Sequence, residues 1–230
     1  MATYNVRSMK DDQAALGRVV TALRADVLCV QEAPRFWRWR DRRVRLAASG
    51  GMSVAAGRRL GGVAVLTGPA VRPLHGRGRL LRFFPGLEQR AVAVAVVEYG
   101  GHRVAVGSVH LDLEPSARLF HARQALALLG KVAERFDALP VLAGDVNEEA
   151  GEPAWRLITE RLADCYPLAP RGDGLTFPAR GPRARIDAIF AAPEARVLSC
   201  GEIGADPDDL RLATDHLPVV AELALPGRRG

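Results

Sequence analysis

Six apolar runs in this chain end, or begin, on residue types that bind cations or move protons. Asn5 closes the run 2–5, Glu32 follows 27–31, and His110 closes 102–110. Asp145 and Asn147 follow 140–144, Asp187 stands at the opening of 186–190, and Asp215 and His216 stand just before Leu217. If the run before Asp145 is a strand, residues two apart share a face, so the Asp145 carboxylate and the Asn147 amide point the same way. Carboxylate and amide oxygens with few thiols suit a hard cation such as Mg²⁺ or Mn²⁺. Histidine beside carboxylate suits proton transfer near neutral pH. Singly, each residue has an ordinary reading: an Asn at a turn, a Glu meeting solvent, a structural His. Six strand ends of this kind in one chain are hard to dismiss as coincidence, because the mouth of a buried strand is where α/β proteins build sites.

Alternating strands and helices are expected to position these groups. Residues 11–24 carry Leu16, Val19, Val20 and Leu23 at helical spacing, with Asp11 or Asp12 as N-cap. Residues 27–31 and 61–67 read as buried strands. Residues 91–99 and 102–110, separated by Gly100-Gly101, read as a hairpin. Leu119, Ala122, Leu126, Leu129, Ala133 and Phe136 form one apolar stripe, so 115–136 is a long helix lying on a sheet. A strand at 140–144, a short helix at 153–162, and strands at 186–190, 195–203 and 217–225 complete the expectation. The pattern is sheets flanked by helices in a single domain spanning residues 1–230.

The 230 residues, 48% apolar and 25% charged, make an ordinary globular composition. No run is long and apolar enough for a membrane span and no signal peptide is visible, so a cytoplasmic monomer is expected. Cys29, Cys165 and Cys200 lack the spacing of a zinc site or a disulfide framework, and Cys29 reads as a core thiol. The net charge of +6 suits a phosphate-bearing partner. It is weak support for nucleic acid, however, because Arg carries nearly all of it; Lys10 and Lys131 are the only lysines.

The ordered set Thr3-Tyr4-Asn5-Val6, Gln31-Glu32, Ser108-Val109-His110-Leu111, Gly144-Asp145-Val146-Asn147, Arg185-Ile186-Asp187-Ala188-Ile189 and Thr214-Asp215-His216-Leu217-Pro218-Val219 resembles the endonuclease/exonuclease/phosphatase superfamily of metal-dependent phosphoesterases. The resemblance runs from residue 3 to residue 219. It implies a four-layer α/β/β/α sandwich, two packed mixed β-sheets flanked by helices, with the site at the top of both sheets. It also implies Glu32 as the main metal ligand with Asn5 and Asp215 nearby, and Mg²⁺, or Mn²⁺ in its place, as cofactor. Asp145 would orient or deprotonate the attacking water, and Asn147 would hold a phosphate oxygen. His216 would touch phosphate or act as acid/base, with Asp187 fixing its tautomer. Whether Asp145 or the His216–Asp187 pair activates water stays open at this stage. His110 is a second acid or phosphate donor, and its presence resembles the deoxyribonuclease, phosphatase and sphingomyelinase branches more than the abasic-site nucleases. Arg90 matches a position where an Arg contacts the site. One departure is the stretch 60–66, which lacks the Tyr, His or Asn that many relatives carry there; His75 is the weak substitute.

On a helix, Arg35, Arg38, Arg42 and Arg45 would share one face with Trp37 and Trp39 interleaved, a surface able to hold a nucleic-acid backbone and stack bases. Arg35, Arg38, Trp39 and Arg42 are the candidate substrate contacts. The plainer reading is an amphipathic outer helix with a solvated Arg face and Phe36 and Val44 in the core. The segment is short and its polar face dominates, so no stable membrane association is expected. The functional expectation is a phosphodiesterase acting on DNA or RNA. Its competitors are an enzyme for a small phosphoester (phosphosugar, inositol phosphate or lipid headgroup), which the compact loops favour slightly, and a non-enzymatic phosphate-binding domain. The last is disfavoured because every acidic and histidine position is filled.

Overall fold

The computed structural model describes residues 1–226. In chain order the elements are β1 (Ala2–Asn5), α1 (Gln13–Ala22), β2 (Val27–Gln31), α2 (Trp39–Ser49), β3 (Ser53–Gly57), β4 (Ala64–Thr67) and β5 (Arg72–Leu80). There follow β6 (Ala91–Tyr99), β7 (His102–His110), α3 (Pro115–Phe136), β8 (Leu139–Asp145), α4 (Pro153–Thr159), β9 (Ala163–Asp164) and α5 (Cys165–Leu168). The last are β10 (Pro170–Arg171), β11 (Asp187–Ala191), β12 (Arg196–Gly201), α6 (Pro207–Ala213) and β13 (Val219–Ala224).

The strands form two mixed sheets, in the orders β10-β12-β13-β1-β2-β4-β3 and β5-β6-β7-β8-β11-β9. Period-two patterning makes four layers of them. On β6, Ala91, Ala93, Ala95 and Val97 face the other sheet, while Val92, Val94 and Val96 face the α3 side. Small residues on the inner face let the sheets approach; larger ones on the outer face fill the space under a helix. A third apolar cluster joins α1 and α2 to the first sheet through Leu16, Val19, Leu28 and Leu46. These layers are the expected α/β/β/α sandwich. Cys29, Cys165 and Cys200 are free and buried. No helix among the described residues is long and apolar enough to cross a membrane.

Most expected elements appear, with ends shifted by a few residues. Asp12 caps α1 by accepting from the Ala14 and Ala15 N–H groups, a contact worth about 1 kcal/mol. Four differences have clear physical causes. β4 begins at Ala64, because Gly61 and Gly62 adopt left-handed φ values of 81° and 59° and form a turn. β3 and β5 were not anticipated; β5 is cut by Gly76 and Gly78 and bears exposed arginines, so it carries little apolar signal. His75 lies on β5 with its ring 5.1 Å from Phe136, against the α3 layer, which removes it as a substitute phosphate contact. Finally, α2 starts only at Trp39, so the expected arginine face does not form. Arg35 and Arg38 precede the helix, with Arg38 left-handed at φ 52°, while Phe36 and Val44, expected in the core, are exposed.

Candidate functional site

Strand register brings the polar strand ends to one place. Asn5 pairs with Gln31 on the parallel strands β1 and β2, which sets Glu32 just beyond. His110 is opposite Asp145 on β7 and β8, and Asp187 is opposite Asp145 on β8 and β11. Gly144, at φ 154°, allows β8 to press against β7, since a Cβ there would collide with the Val109 carbonyl oxygen. Below the site, Thr3 donates to Gln31 Oε1 at 3.1 Å and Gln31 Nε2 donates to Ser108 Oγ at 3.2 Å, so a buried polar strap ties the two sheets together.

Asp145 is the centre, with 1% of its surface exposed. Its Oδ2 accepts from Asn5 Nδ2 at 2.9 Å and lies 3.4 Å from His110 Nε2 and 3.7 Å from His216 Nε2. Its Oδ1 accepts the Asn147 backbone N–H at 3.0 Å. His216 Nδ1 meets Asp187 Oδ2 at 2.8 Å, and Phe177 lies against the imidazole with ring centres 4.8 Å apart. The His110 tautomer follows from its partner. Arg90 Nη1 sits 3.1 Å from His110 Nδ1, and a guanidinium only donates. Nδ1 therefore accepts, and the ring proton is on Nε2, facing Asp145.

Burial separates the three titrating groups. It pushes Asp145 up to about 7, with the Asp187 charge adding to the rise and His216 opposing it. Burial pulls His216 down, but the Asp187 charge and hydrogen bond, with Asp145 and Asp215, outweigh it and carry the group to about 9. His110 is held well below its ordinary value by burial and then by the charges of Arg90 and His216. At neutral pH the site thus holds an imidazolium at 216, a neutral imidazole at 110 and a carboxyl at 145 near its midpoint.

The remaining sequence candidates divide. Glu32, left-handed at φ 47°, is half-buried and lies 3.3 Å from Asn5 Nδ2. Asn5 turns its nitrogen toward the carboxylates, while its Oδ1 accepts the Arg7 N–H at 3.0 Å. Asn147, at φ 54°, gives one amide proton to Leu111 O at 3.0 Å, and its second has no hydrogen-bond partner among the described residues. Asp215 lies 3.2 Å from Arg7 Nε at the edge of a cavity of about 340 Å³. Arg90 is buried behind His110 and pairs with Asp112 at 3.4 Å, so it reaches the centre only through that histidine. Arg42 donates to the Ser8 and Met9 carbonyls at 2.9 and 3.0 Å. Trp39 lies between Arg40 and Arg43, and Arg35 faces Glu88 at 3.5 Å. None of Arg35, Arg38, Trp39 and Arg42 has a hydrogen bond or ion pair with the central cluster among the described residues.

Sequence reasoning missed Arg7, Asp112, Arg118, Glu148 and Thr176. Buried Arg118 bonds Glu148 at 3.0 Å and the carbonyls of Asp112 and Leu113, pinning the loops that follow His110 and Asp145. Thr176 Oγ1 accepts the Ile186 and Asp187 N–H groups at 3.2 Å. The only signal was proximity: Asp112 and Glu148 follow His110 and Asp145 by two and three residues.

Asp145, Asp187 and His216 bring ligand-capable atoms within 4.8 Å of one another. Asp187 Oδ1 is buried without a hydrogen-bond partner among the described residues. With the nearby Glu32 carboxylate, the available donors are hard carboxylate oxygens, since a protonated His216 has no lone pair to give, and the three thiols lie in the core between the sheets or at its border. That chemistry fits a hard divalent cation.

Fold and site together define a phosphoesterase scaffold with carboxylates and histidines gathered at one end of two packed sheets. The sequence matches the model of the Endonuclease/Exonuclease/phosphatase family over residues 2–216, and the chain belongs to that family. The solved structures it resembles include the endonuclease/exonuclease/phosphatase from Bacteroides vulgatus, at 22% identity and TM-score 0.78, covering 97% of each chain. A mannosyl-6-phosphatase from Bacteroides thetaiotaomicron is similar at 17% identity and TM-score 0.78, over 97% of this chain and 98% of that one. The human Nocturnin catalytic domain with bound sulfate is similar at 16% identity and TM-score 0.70, over 97% and 93%. Among curated proteins, none matches the chain.

Proposed function

We propose that this protein is a divalent-metal-dependent phosphoesterase that cleaves phosphodiester bonds by attack of water on phosphorus. The carrying observation is the convergence of Asp145, the His216–Asp187 pair, His110 and Glu32 on one strand-end cluster. Glu32 would be the main ligand of Mg²⁺ or Mn²⁺, with Asp215 beside it. Asn5 Oδ1 accepts the Arg7 N–H with one lone pair and has a second to offer. When bound, the cation supplies Lewis-acid polarisation of a phosphoryl oxygen and neutralises its charge.

The chain's own groups do the rest. Asp145, with a value near 7, is poised to take a proton from water as its oxygen bonds to phosphorus. The His216 imidazolium, held by Asp187, is placed to donate to a phosphoryl oxygen or to the departing ester oxygen as the P–O bond breaks. The second Asn147 amide proton and the His110 Nε2–H are further donors for the charge of the transition state. Arg90 and Asp187 act as positioning residues, since each fixes a histidine tautomer. This division of labour favours Asp145 over the His216–Asp187 pair as the base.

Nucleic acid is the first substrate reading, supported by net charge +6 and by exposed arginines at the mouth, Arg38, Arg58, Arg59 and Arg82. A small phosphoester or lipid headgroup is the second, because the arginine helix face is absent and apolar side chains line the same mouth. The test is hydrolysis of plasmid DNA, single-stranded oligonucleotide, bis-(p-nitrophenyl) phosphate and p-nitrophenyl phosphate with Mg²⁺, Mn²⁺ or EDTA, wild type beside Asp145→Ala. Metal-dependent cleavage of DNA that Asp145→Ala loses supports the nuclease. Turnover of the small esters with intact DNA supports the second reading. Hydrolysis unaffected by EDTA and by Asp145→Ala refutes both.

A further inference from the structure

Four loops open at the same end of the sheets as the catalytic cluster. Val30 pairs with Ala64 and Gly57 with Ala64, which places the β2–α2 and β3–β4 connections there. Leu80 pairs with Ala91 and Val92 with Val109, which adds the β5–β6 and β7–α3 connections. The loops are stitched together. Ala33 N donates to Gly62 O at 2.7 Å and Arg59 Nε to Arg35 O at 2.9 Å, while Arg35 faces Glu88 and Arg90 faces Asp112.

This rim holds five of the eleven large apolar residues exposed among the described residues: Phe36 at 69%, Trp37 at 81%, Leu60 at 53%, Phe83 at 57% and Leu113 at 72%. Large side chains gathered in water around one opening mark an interaction surface, unlike the scattered singles found on any protein. Exposed Arg38, Arg58, Arg59 and Arg82 stand among them, against the exposed acids Glu88 and Glu114. On the opposite side of the mouth, residues 146–152 and 172–186 have no exposed large apolar side chain, and Leu212, beside Asp215, is exposed at 43%. The apolar and basic surface is therefore concentrated on one side of the mouth.

We propose that this rim docks reversibly on an anionic lipid bilayer and sets the catalytic mouth against the headgroup layer. The leucines decide the occupant. A nucleic-acid strand stacks on rings and pairs with guanidiniums, but Leu60 and Leu113 have no ring to offer it. A bilayer takes every residue type present: leucine and phenylalanine enter the acyl boundary, tryptophan sits at the headgroup level, and arginines reach anionic headgroups along their apolar stems. The expectation of no stable membrane association treats this segment as a short helix with a dominant polar face, whereas α2 begins only at Trp39 and leaves Phe36 and Trp37 exposed on the loop before it. The inference does not depend on which phosphoester is cleaved.

The test uses the full chain and reads binding, so a failure of the enzymatic reading cannot mimic its failure. Co-sedimentation with vesicles of phosphatidylcholine alone is compared with vesicles of equal parts phosphatidylcholine and phosphatidylglycerol, with tryptophan emission followed alongside. Binding to the anionic vesicles only is expected, with a blue shift from Trp37. Phe83→Ala combined with Leu113→Ala should weaken that binding about tenfold or more, and Arg58→Glu with Arg59→Glu should weaken it further. Phe83 and Leu113 are solvent-exposed and make no contact with the central cluster, so in the Phe83/Leu113 variant unfolding temperature and vesicle-free hydrolysis of bis-(p-nitrophenyl) phosphate should stay at wild-type values. No binding to anionic vesicles, or binding that the Phe83/Leu113 variant leaves intact, overturns the proposal. So does tight binding of a single-stranded oligonucleotide, lost in that variant, without vesicle binding.

Discussion

Asp187→Asn removes one negative charge 2.8 Å from His216 Nδ1 and changes almost nothing in shape. The rise of His216 from 6.5 to about 9 corresponds to about 3 kcal/mol in favour of the imidazolium. Burial pulls the other way, so the attraction exceeds that net value, and Asp187 is its largest source. Without it, burial is opposed only by the Asp145 and Asp215 charges, and His216 should titrate well below its wild-type value. The sign of the stability effect follows. A histidine raised in the folded state stabilises fully below pH 6.5, and that contribution is lost as pH rises through about 9. Wild type should lose up to about 3 kcal/mol from this group across that window, and Asp187→Asn should not. The assay is an NMR titration of the His216 ring in metal-free protein, with denaturant unfolding at both ends of the window. Turnover of bis-(p-nitrophenyl) phosphate should drop on the order of 10²–10⁴-fold, the usual worth of a positioned acid/base. If His216 still titrates near 9 in Asp187→Asn, or turnover is unchanged, the pair does not do what its geometry implies.

Other perturbations probe the support of the site. Glu32→Gln should weaken Mn²⁺ binding about tenfold or more, read by calorimetry as well as by the metal dependence of turnover; unchanged affinity would remove Glu32 as a ligand. Gly144→Ala should destabilise by about 3 kcal/mol or more, because φ 154° is strained for any Cβ and this one meets the Val109 carbonyl; a wild-type unfolding midpoint would contradict the β7–β8 packing. Arg118→Ala leaves Glu148 charged and buried, at a cost of about 3–5 kcal/mol in thermal or denaturant unfolding. Arg118→Met with Glu148→Gln should recover part of that loss, and equal losses in both variants would argue against an unpaired buried charge as the cause.

Much of this protein is written locally. Period-two alternation in 91–110 and the stripe Leu119 to Phe136 specify their strands and helix because burial enforces one face for each. The strand-end residues Asn5, Glu32, His110, Asp145, Asp187 and His216 are legible because each interrupts an apolar run with a group that water or a site must satisfy. Where local signals are weak or conflict, the reading slips. Glycines hide β5, and the arginine spacing of 35–45 imitates a helix face although the chain stays irregular until Trp39. What only the tertiary structure decides is distance. Asp145 and Asn5 are 140 positions apart in the chain and 2.9 Å apart in space, and only register between packed sheets makes them neighbours. The protonation pattern has the same origin, because it comes from burying Asp145, Asp187 and His216 together, and so does the apolar rim, where four separate loops meet at one opening. A sequence can name the groups that do chemistry; the low-dielectric interior that sets their charges exists only once the sheets have closed over them.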